Sequence, residues 1–371
     1  MIIGIPKEIK VHEYRVGMTP ASVHELVAHG HTVLVQSNAG IGIGASDNDY
    51  RHVGAEIIND ANDIFAKAEM IIKVKEPQAV ERAMLREGQI LFTYLHLAPD
   101  PEQTKDLLNS GAICIAYETV TSPLGGLPLL APMSKVAGRL AVQAGAHCLE
   151  QPQGGLGMLL SGVPGVAPAK VVILGAGIVG THAAEIAVGM GADTWILDNN
   201  PDSLERHWRQ FGNTTNSIFS NKNSLEQHIL DADLVIGGVL IPGAEAPKLV
   251  TREMISQMKK GAVVVDVAID QGGCFATSHA TTHAEPTFMV DDIVHYCVAN
   301  MPGAVPKTST YALNNVTLPF ALDIANKGVT QALQDNPHLC NGLNVHSGKV
   351  THKEVARNLG YEYVSAQEIL K

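Results

Sequence analysis

Short apolar runs, many of them β-branched, recur along this chain. The first group lies at residues 2–5, 32–36, 70–74, 90–95 and 113–117. The second lies at 171–174, 194–197, 234–236, 263–267 and, more weakly, 295–298. Between them sit stretches such as 20–29, 101–110 and 252–259, with apolar positions at helical spacing and polar residues on the other face. Continuous apolar runs of this length suit parallel strands covered on both sides. Their alternation with helices predicts an α/β fold with two Rossmann-like, doubly wound parallel sheets, one before about residue 125 and one from about 170. Residues 121–128 (TSPLGGLP) form a breaker cluster at the join. A helix is expected over 133–149, then a loop rich in glycine and proline over 151–169. The tail from residue 308 reads as mostly helical, at 311–326 and 355–359. With no third sheet to join, it is expected to cross back and complete the first domain.

The chain has 371 residues, 46% hydrophobic and 17% charged. That is an ordinary globular composition with apolar material for two cores. A net charge of −11 and the lack of a basic run argue against nucleic-acid binding. Five scattered cysteines (Cys114, Cys148, Cys274, Cys297, Cys340) without a CxxC pattern fit a reducing compartment and give no zinc motif. The start, MIIGIPKEIK, lacks the long apolar core of a signal peptide, and the apolar window 154–180 is broken by prolines and glycines. A cytoplasmic location and no membrane partner are the expectations.

The densest chemical signal is residues 170–198. A strand-like run enters Gly175-Ala176-Gly177-Ile178-Val179-Gly180, a helical segment follows, and a second apolar run closes on Asp198. This is the dinucleotide fingerprint in its expected context. Gly175 permits the turn. Gly177 lets backbone approach a pyrophosphate at a helix N-terminus, and Gly180 lets the helix pack closely. Asp198 would accept the ribose hydroxyls of NAD and repel a 2′-phosphate. Asn199 and Asn200 supply no cation for one.

In open α/β sheets ligands bind at the carboxyl ends of strands. In the first half those positions carry Arg15, Lys73, Lys75, His96 and Glu118. In the second half they carry Asp198, Ser220, Asp270 and Asn300. Arg15 can clamp a carboxylate with two parallel hydrogen bonds. Lys75 can polarise a carbonyl oxygen or share the carboxylate, and His96 can move a proton near neutral pH. Asp270 can order water or ammonia. Beside a nicotinamide these groups suit a small oxo acid or amino acid. Taken singly, Arg15 and Lys75 also read as surface charges, His96 as a structural histidine, and Asp266 and Asp270 as element caps.

Several blocks together are familiar: GIPKE, EYRVGMTP, IKVKEP, TYLHLAPD, APMSKVAGRLAVQ, ILGAGIVG, VDVAIDQGG and CVANMPGAVP. With these blocks, spread over essentially its whole length, the chain resembles the NAD-dependent L-alanine dehydrogenases. The resemblance implies reversible oxidative deamination of L-alanine to pyruvate and ammonium, with NAD as cofactor and no metal. It implies two Rossmann-like domains with a cleft between them. Residues 1–128 with 307–371 would form the substrate domain, and 129–306 the NAD-binding domain. By the resemblance, Arg15 and Lys75 match the substrate-binding pair and His96 and Asp270 the catalytic pair. Ser134, Ile178, Val179, Asp198, Ser220, Val239, Leu240, Val267, Ala268, Ile269, Asp270, Val298, Ala299, Asn300 and Met301 match cofactor-contacting positions. It also implies a homohexamer. Ser203 and His279 depart from the family, whose members often carry a basic residue there, near the adenosine end of NAD. The alternatives are the nucleotide-binding subunit of a proton-translocating transhydrogenase, which would not need His96 and Lys75, and a non-catalytic NAD-binding protein.

Overall fold

The computed structural model describes residues 1–239 and 246–371. The chain divides into two compact units, Met1–Met133 with Gly303–Lys371, and Ser134–Pro302. The first holds the strands β1 (Ile2–Ile5), β2 (Thr32–Gln36), β3 (Glu56–Ile58), β4 (Met70–Ile72), β5 (Ile90–Thr93), β6 (Ile113–Ala116), β14 (Leu343–His346) and β15 (Lys349–Val350). Their order is β15-β14-β6-β5-β4-β1-β2-β3. The run from β6 to β3 is parallel throughout, and β14 and β15 are antiparallel additions at one edge.

The second unit holds β7 (Lys170–Leu174), β8 (Asp193–Asp198), β9 (Asn216–Phe219), β10 (Leu234–Gly237), β11 (Val263–Asp266), β12 (Thr287–Val290) and β13 (Ile293–Tyr296), in the order β12-β13-β11-β10-β7-β8-β9. The strand order reverses between β7 and β10, which makes the space beyond their carboxyl ends the topological switch point of this sheet.

The elements form for local reasons. β5, β6, β10 and β11 are buried at every position, as a sheet covered on both faces requires. The helix Pro20–Ala28 starts on Thr19, whose side chain accepts from Ser22 N, with proline in its first turn. Asp100 caps Pro101–Ser110 in the same way, and Gly111 ends that helix at φ +67°. One side of the first sheet packs Leu91, Leu95, Leu107, Cys114 and Val345 together. In the second unit, Val172, Val235, Val264, Ile255 and Phe275 do the same.

The structure corrects several strand limits. The run 70–74 is strand only to Ile72, and 90–95 only to Thr93. Side chains take the backbone N–H groups beyond those points: Glu8 accepts from Val74, and Glu118 from Leu95 and His96. The tail is not all helical, because β14 and β15 join the first sheet. Short segments (Glu56–Ile58, Asn216–Phe219, Leu343–His346) form edge or near-edge strands too brief or too mixed to leave a clear apolar run.

Buried histidines in the second unit predict acid sensitivity, and His207 carries the clearest case. His207, on the helix Pro201–Phe211, is buried with Nε2 3.0 Å from Thr215 Oγ1. Burial pushes its pKa down to about 4. Below its usual value of about 6.5 the unfolded chain binds a proton that the folded chain refuses. Stability of this unit should therefore fall as pH drops from that value towards about 4. Unfolding of His207→Gln, followed by denaturant titration across this range, should show a flatter pH profile than the parent.

Candidate active site

In the first unit the strand-end residues gather at the carboxyl ends of four adjacent parallel strands, β6-β5-β4-β1. Arg15 lies in the loop after β1 and is 2% exposed. Its Nε and Nη2 donate to the two carboxylate oxygens of Glu13 at 2.7 and 2.6 Å, and Nη1 lies 3.1 Å from Met133 Sδ. The two-pronged clamp expected for a substrate carboxylate is thus formed with Glu13. Pairing with Glu13 raises the Arg15 pKa despite its burial.

Lys73 and Lys75 separate completely. Lys73 is buried between Glu8 (2.9 Å) and Glu81 (2.8 Å). It is a structural cation and is not presented to a ligand. Two carboxylates hold its pKa above the usual lysine value, although burial opposes this. Burial pushes the Glu8 pKa up, and the nearby Glu13 and Glu81 carboxylates add to this, while Lys73 and the Val74 N–H oppose it. The other oxygen of Glu8 accepts from Val74 N at 2.7 Å and lies 3.4 Å from Lys75 N. This holds the backbone that carries Lys75. The Lys75 side chain is 13% exposed, with its ammonium 3.7 Å from Glu76.

His96 follows β5 with a left-handed backbone, φ +50°. Its side chain is 46% exposed. The ring stacks on Tyr94, centroids 5.9 Å apart and planes 4° apart, and Nδ1 is 3.9 Å from Glu118 Oε1. Tyr94 is buried, donates to the Leu129 carbonyl at 2.6 Å, and interacts electrostatically with Arg15 and Glu118. Arg15, Lys75 and His96 therefore share one neighbourhood, knitted together by Glu8, Glu13, Tyr94 and Glu118. Sequence reasoning missed Glu8, Glu13 and Tyr94 as parts of it. Glu13 stands two residues from Arg15 and Glu8 lies in GIPKE, but nothing local shows that their carboxylates are buried.

The turn and strand ends of the second unit fit NAD by their own atoms. Gly175 has φ +98°, which favours glycine. A Cβ at Gly177 would meet no protein atom within 4 Å, so the turn leaves open space at the N-terminus of the helix Ile178–Gly189. A Cβ at Gly180 would lie 1.7 Å from the Gly175 carbonyl oxygen. This glycine therefore lets the helix close on the turn itself. The switch-point walls are tight: a Cβ at Gly175 would come within 3.1 Å of Val239, and one at Gly238 within 2.9 Å of Val179.

Asp198, ending β8, accepts from Ala176 N at 2.6 Å and Asn200 N at 2.8 Å, one bond to each oxygen. Each oxygen keeps a lone pair for a ribose hydroxyl. These features fit a dinucleotide.

The other expected contact positions of this unit follow strand ends or helix starts. Ser134 lies in the first turn of the helix Ala131–Cys148, Ile178 is exposed, and Val179 is buried. Ser220 follows β9, and its N–H donates to the Asp198 carbonyl. Val267, Ala268, Ile269 and Asp270 follow β11, with Asp270 exposed on a short 3-10 turn. Val298, Ala299, Asn300 and Met301 follow β13, with Asn300 at φ +61°. Leu240 lies outside the described residues.

Asp266 is not a simple terminator. It is buried, accepting from Cys274 N, Phe275 N and Ser278 Oγ, and so it fastens the segment after Asp270. Ser203 is buried and its hydroxyl accepts from the Arg206 guanidinium at 2.8 Å. His279 stacks on Phe288. Among the described residues no three His, Cys, Asp or Glu side chains are gathered to hold a metal. No helix there is long and apolar enough to cross a membrane.

Residues 4–137 match the family model "Alanine dehydrogenase/PNT, N-terminal domain", and residues 141–353 match "Alanine dehydrogenase/PNT, C-terminal domain". The alanine dehydrogenase of Halomonas elongata is 58% identical over 370 residues, covering all of both chains. A solved L-alanine dehydrogenase superposes with a TM-score of 0.94 at 50% identity, covering 97% of this chain and 99% of the other. A transhydrogenase structure from Sinorhizobium meliloti superposes with a TM-score of 0.81 at 26% identity, covering 95% of this chain and 99% of that one.

Proposed function

The chain belongs to the alanine dehydrogenase/PNT family, and from that premise we propose how its own residues carry out the NAD-dependent oxidation of L-alanine to pyruvate and ammonium. Full-length identity of 58% to an alanine dehydrogenase, against 26% to a transhydrogenase, favours the amino-acid substrate. The observation that carries the reading is the grouping of Arg15, Lys75 and His96 at adjacent strand ends in the first unit.

Arg15 binds the alanine carboxylate, with Glu13 holding the guanidinium in place through Nε and Nη2. Lys75, at the neighbouring strand end, shares that carboxylate and, in the reverse direction, polarises the pyruvate carbonyl. NAD⁺, when bound, supplies the hydride acceptor for the substrate Cα–H bond. The chain's part is then proton chemistry. Loss of hydride from neutral alanine gives an iminium at C2. His96 takes a proton from the water that adds there, giving the carbinolamine. It returns that proton to the amine nitrogen and takes the hydroxyl proton as ammonia leaves and the C2 carbonyl forms; the departing ammonia then takes that proton and is released as ammonium. Asp270 orders the attacking water and the departing ammonia. Asp198 takes the ribose hydroxyls, and the turn from Gly175 to Gly180 receives the pyrophosphate.

A cytoplasmic location is inferred from the five scattered cysteines, which form no CxxC pattern. The enzyme is taken to assemble as a homohexamer, a reading supported by the exposed Leu159, Val163 and Val166 around a small antiparallel bridge.

The test is NADH formation from L-alanine and NAD⁺ at alkaline pH, with pyruvate and ammonium appearing one for one. No turnover in either direction would leave the non-catalytic reading in its place. With NADP⁺ the same assay should run far more slowly. Asp198→Ser should weaken NAD by about 10- to 100-fold, the loss of one or two charge-assisted hydrogen bonds. It should narrow the preference for NAD over NADP. An unchanged ratio would remove Asp198 as the ribose ligand.

A further inference from the structure

His96 is held in a conformation that its own residue type disfavours. A left-handed backbone at a non-glycine residue is strained and persists only where the surroundings impose it. Its side chain is 46% exposed, so burial does not impose it. Glu118 does. Its Oε1 accepts from the His96 N–H at 2.6 Å, and its two oxygens lie 3.3 and 3.2 Å from Leu95 N. These two N–H groups are the ones that leave the β5 ladder, so one carboxylate both ends the strand and turns the next residue.

The same carboxylate lies 3.9 Å from His96 Nδ1, on the edge of a ring whose face is set by Tyr94. Glu118 is itself fixed. It sits on the short turn Tyr117–Thr119 after β6. That turn is tied to the returning C-terminal strand by Asn344 Nδ2 to Thr119 Oγ1 (2.8 Å) and by Ala116 N to the Gly342 carbonyl (2.7 Å).

We propose that Glu118 is the positioning residue for His96. It holds the backbone turn that swings the imidazole out from the sheet. It keeps Nδ1 facing a carboxylate, so that Nε2, the nitrogen remote from it, is the one that exchanges the proton with substrate. Glu118 touches neither substrate nor cofactor in this account. The β14–β15 addition, which sequence reasoning did not foresee, is then the buttress of the catalytic loop. This inference rests on His96 being the proton-transfer group.

The experiment compares Glu118→Gln, Glu118→Ala and His96→Ala in the full chain. It measures kcat, KM for L-alanine and, separately, the Kd of NADH by fluorescence titration. The glutamine variant keeps an acceptor for the two N–H groups and loses the charge beside Nδ1; the alanine variant loses both. Glu118→Ala should lower kcat about 100-fold, the cost of misplacing a reacting group by about an ångström. Glu118→Gln should fall between it and the parent, about tenfold down, the effect of losing one close charge partner. KM for alanine and the NADH Kd should stay within about threefold of the parent, because only the proton-transfer step is displaced. In the His96→Ala background, adding Glu118→Gln should cost nothing more.

Parent-like kcat in Glu118→Gln and Glu118→Ala, with His96→Ala inactive, overturns the inference and leaves the proposed function standing. Full activity in His96→Ala overturns the role of His96 and the inference with it. If Glu118→Ala does not fold, the near-isosteric glutamine variant decides alone. A loss of NADH affinity in step with kcat, or a further loss in the double variant, overturns the positioning role in favour of general distortion.

Discussion

Replacing His96 by alanine should lower alanine turnover by about 10²- to 10⁴-fold, the usual contribution of a positioned general acid–base, while NADH binds with unchanged affinity. Both halves of this expectation come from the structure. The imidazole projects from the strand-end loop with its side chain nearly half exposed, so its removal opens no cavity. The dinucleotide features lie on the other unit's turn and strand ends, and none of their described contacts uses His96. A thermal unfolding curve should therefore match the parent, and an NADH titration should give the parent Kd. Undiminished turnover would remove His96 from the mechanism.

Lys73→Met should be damaging for a different reason. It removes the one ammonium lying between Glu8 and Glu81, all three side chains being buried. Breaking a buried ion pair leaves an uncompensated charge, typically a loss of about 3–5 kcal/mol. The melting temperature of the first unit should fall by roughly 10 °C. The sign of the pH dependence follows from the charges. Burial already pushes Glu8 up, and Lys73 is what pulls it back down. Without Lys73 the carboxylate pKa rises further in the folded state, and folded protein binds protons that unfolded chain releases. The deficit should be largest at neutral and alkaline pH and shrink as pH falls into the carboxylate range. Adding Glu8→Gln and Glu81→Gln should recover much of the loss. Lys75→Met, two residues away, should leave the melting temperature nearly unchanged and raise KM for alanine. Equal stability losses in the two lysine variants would contradict the division of labour drawn between them.

Much of the fold was legible because burial on both faces leaves a direct trace. Runs such as Val171–Leu174 and Val263–Val265 carry no polar residue, and both are central strands. The edge strands left almost none. Asn216–Phe219 and Glu56–Ile58 are polar or short because one side pairs with nothing, and their pairing is set by the sheet. The dinucleotide turn was legible because each glycine answers a steric demand made within a few residues.

The charged pocket was legible only in outline. Arg15, Lys75 and His96 could be placed at strand ends, but their partners could not. Glu8 meets Lys73 across 65 positions, and Glu118 meets His96 across 22. For the same reason Lys73 and Lys75 looked alike in sequence, while the structure makes one a buried tie and leaves the other at the pocket. Whether a carboxylate is a solvated cap or a buried clamp is decided by long-range packing, on which the local pattern is silent.

The most direct test follows the fate of the substrate hydrogen. With L-alanine deuterated at C2 and NAD⁺, the account predicts one deuterium on the nicotinamide of each NADH formed, matched by one pyruvate, and the same yield of labelled product per turnover in the slowed Glu118→Gln variant. Reduced cofactor without deuterium, or pyruvate released without reduced cofactor, would contradict hydride transfer from alanine and the site built around it.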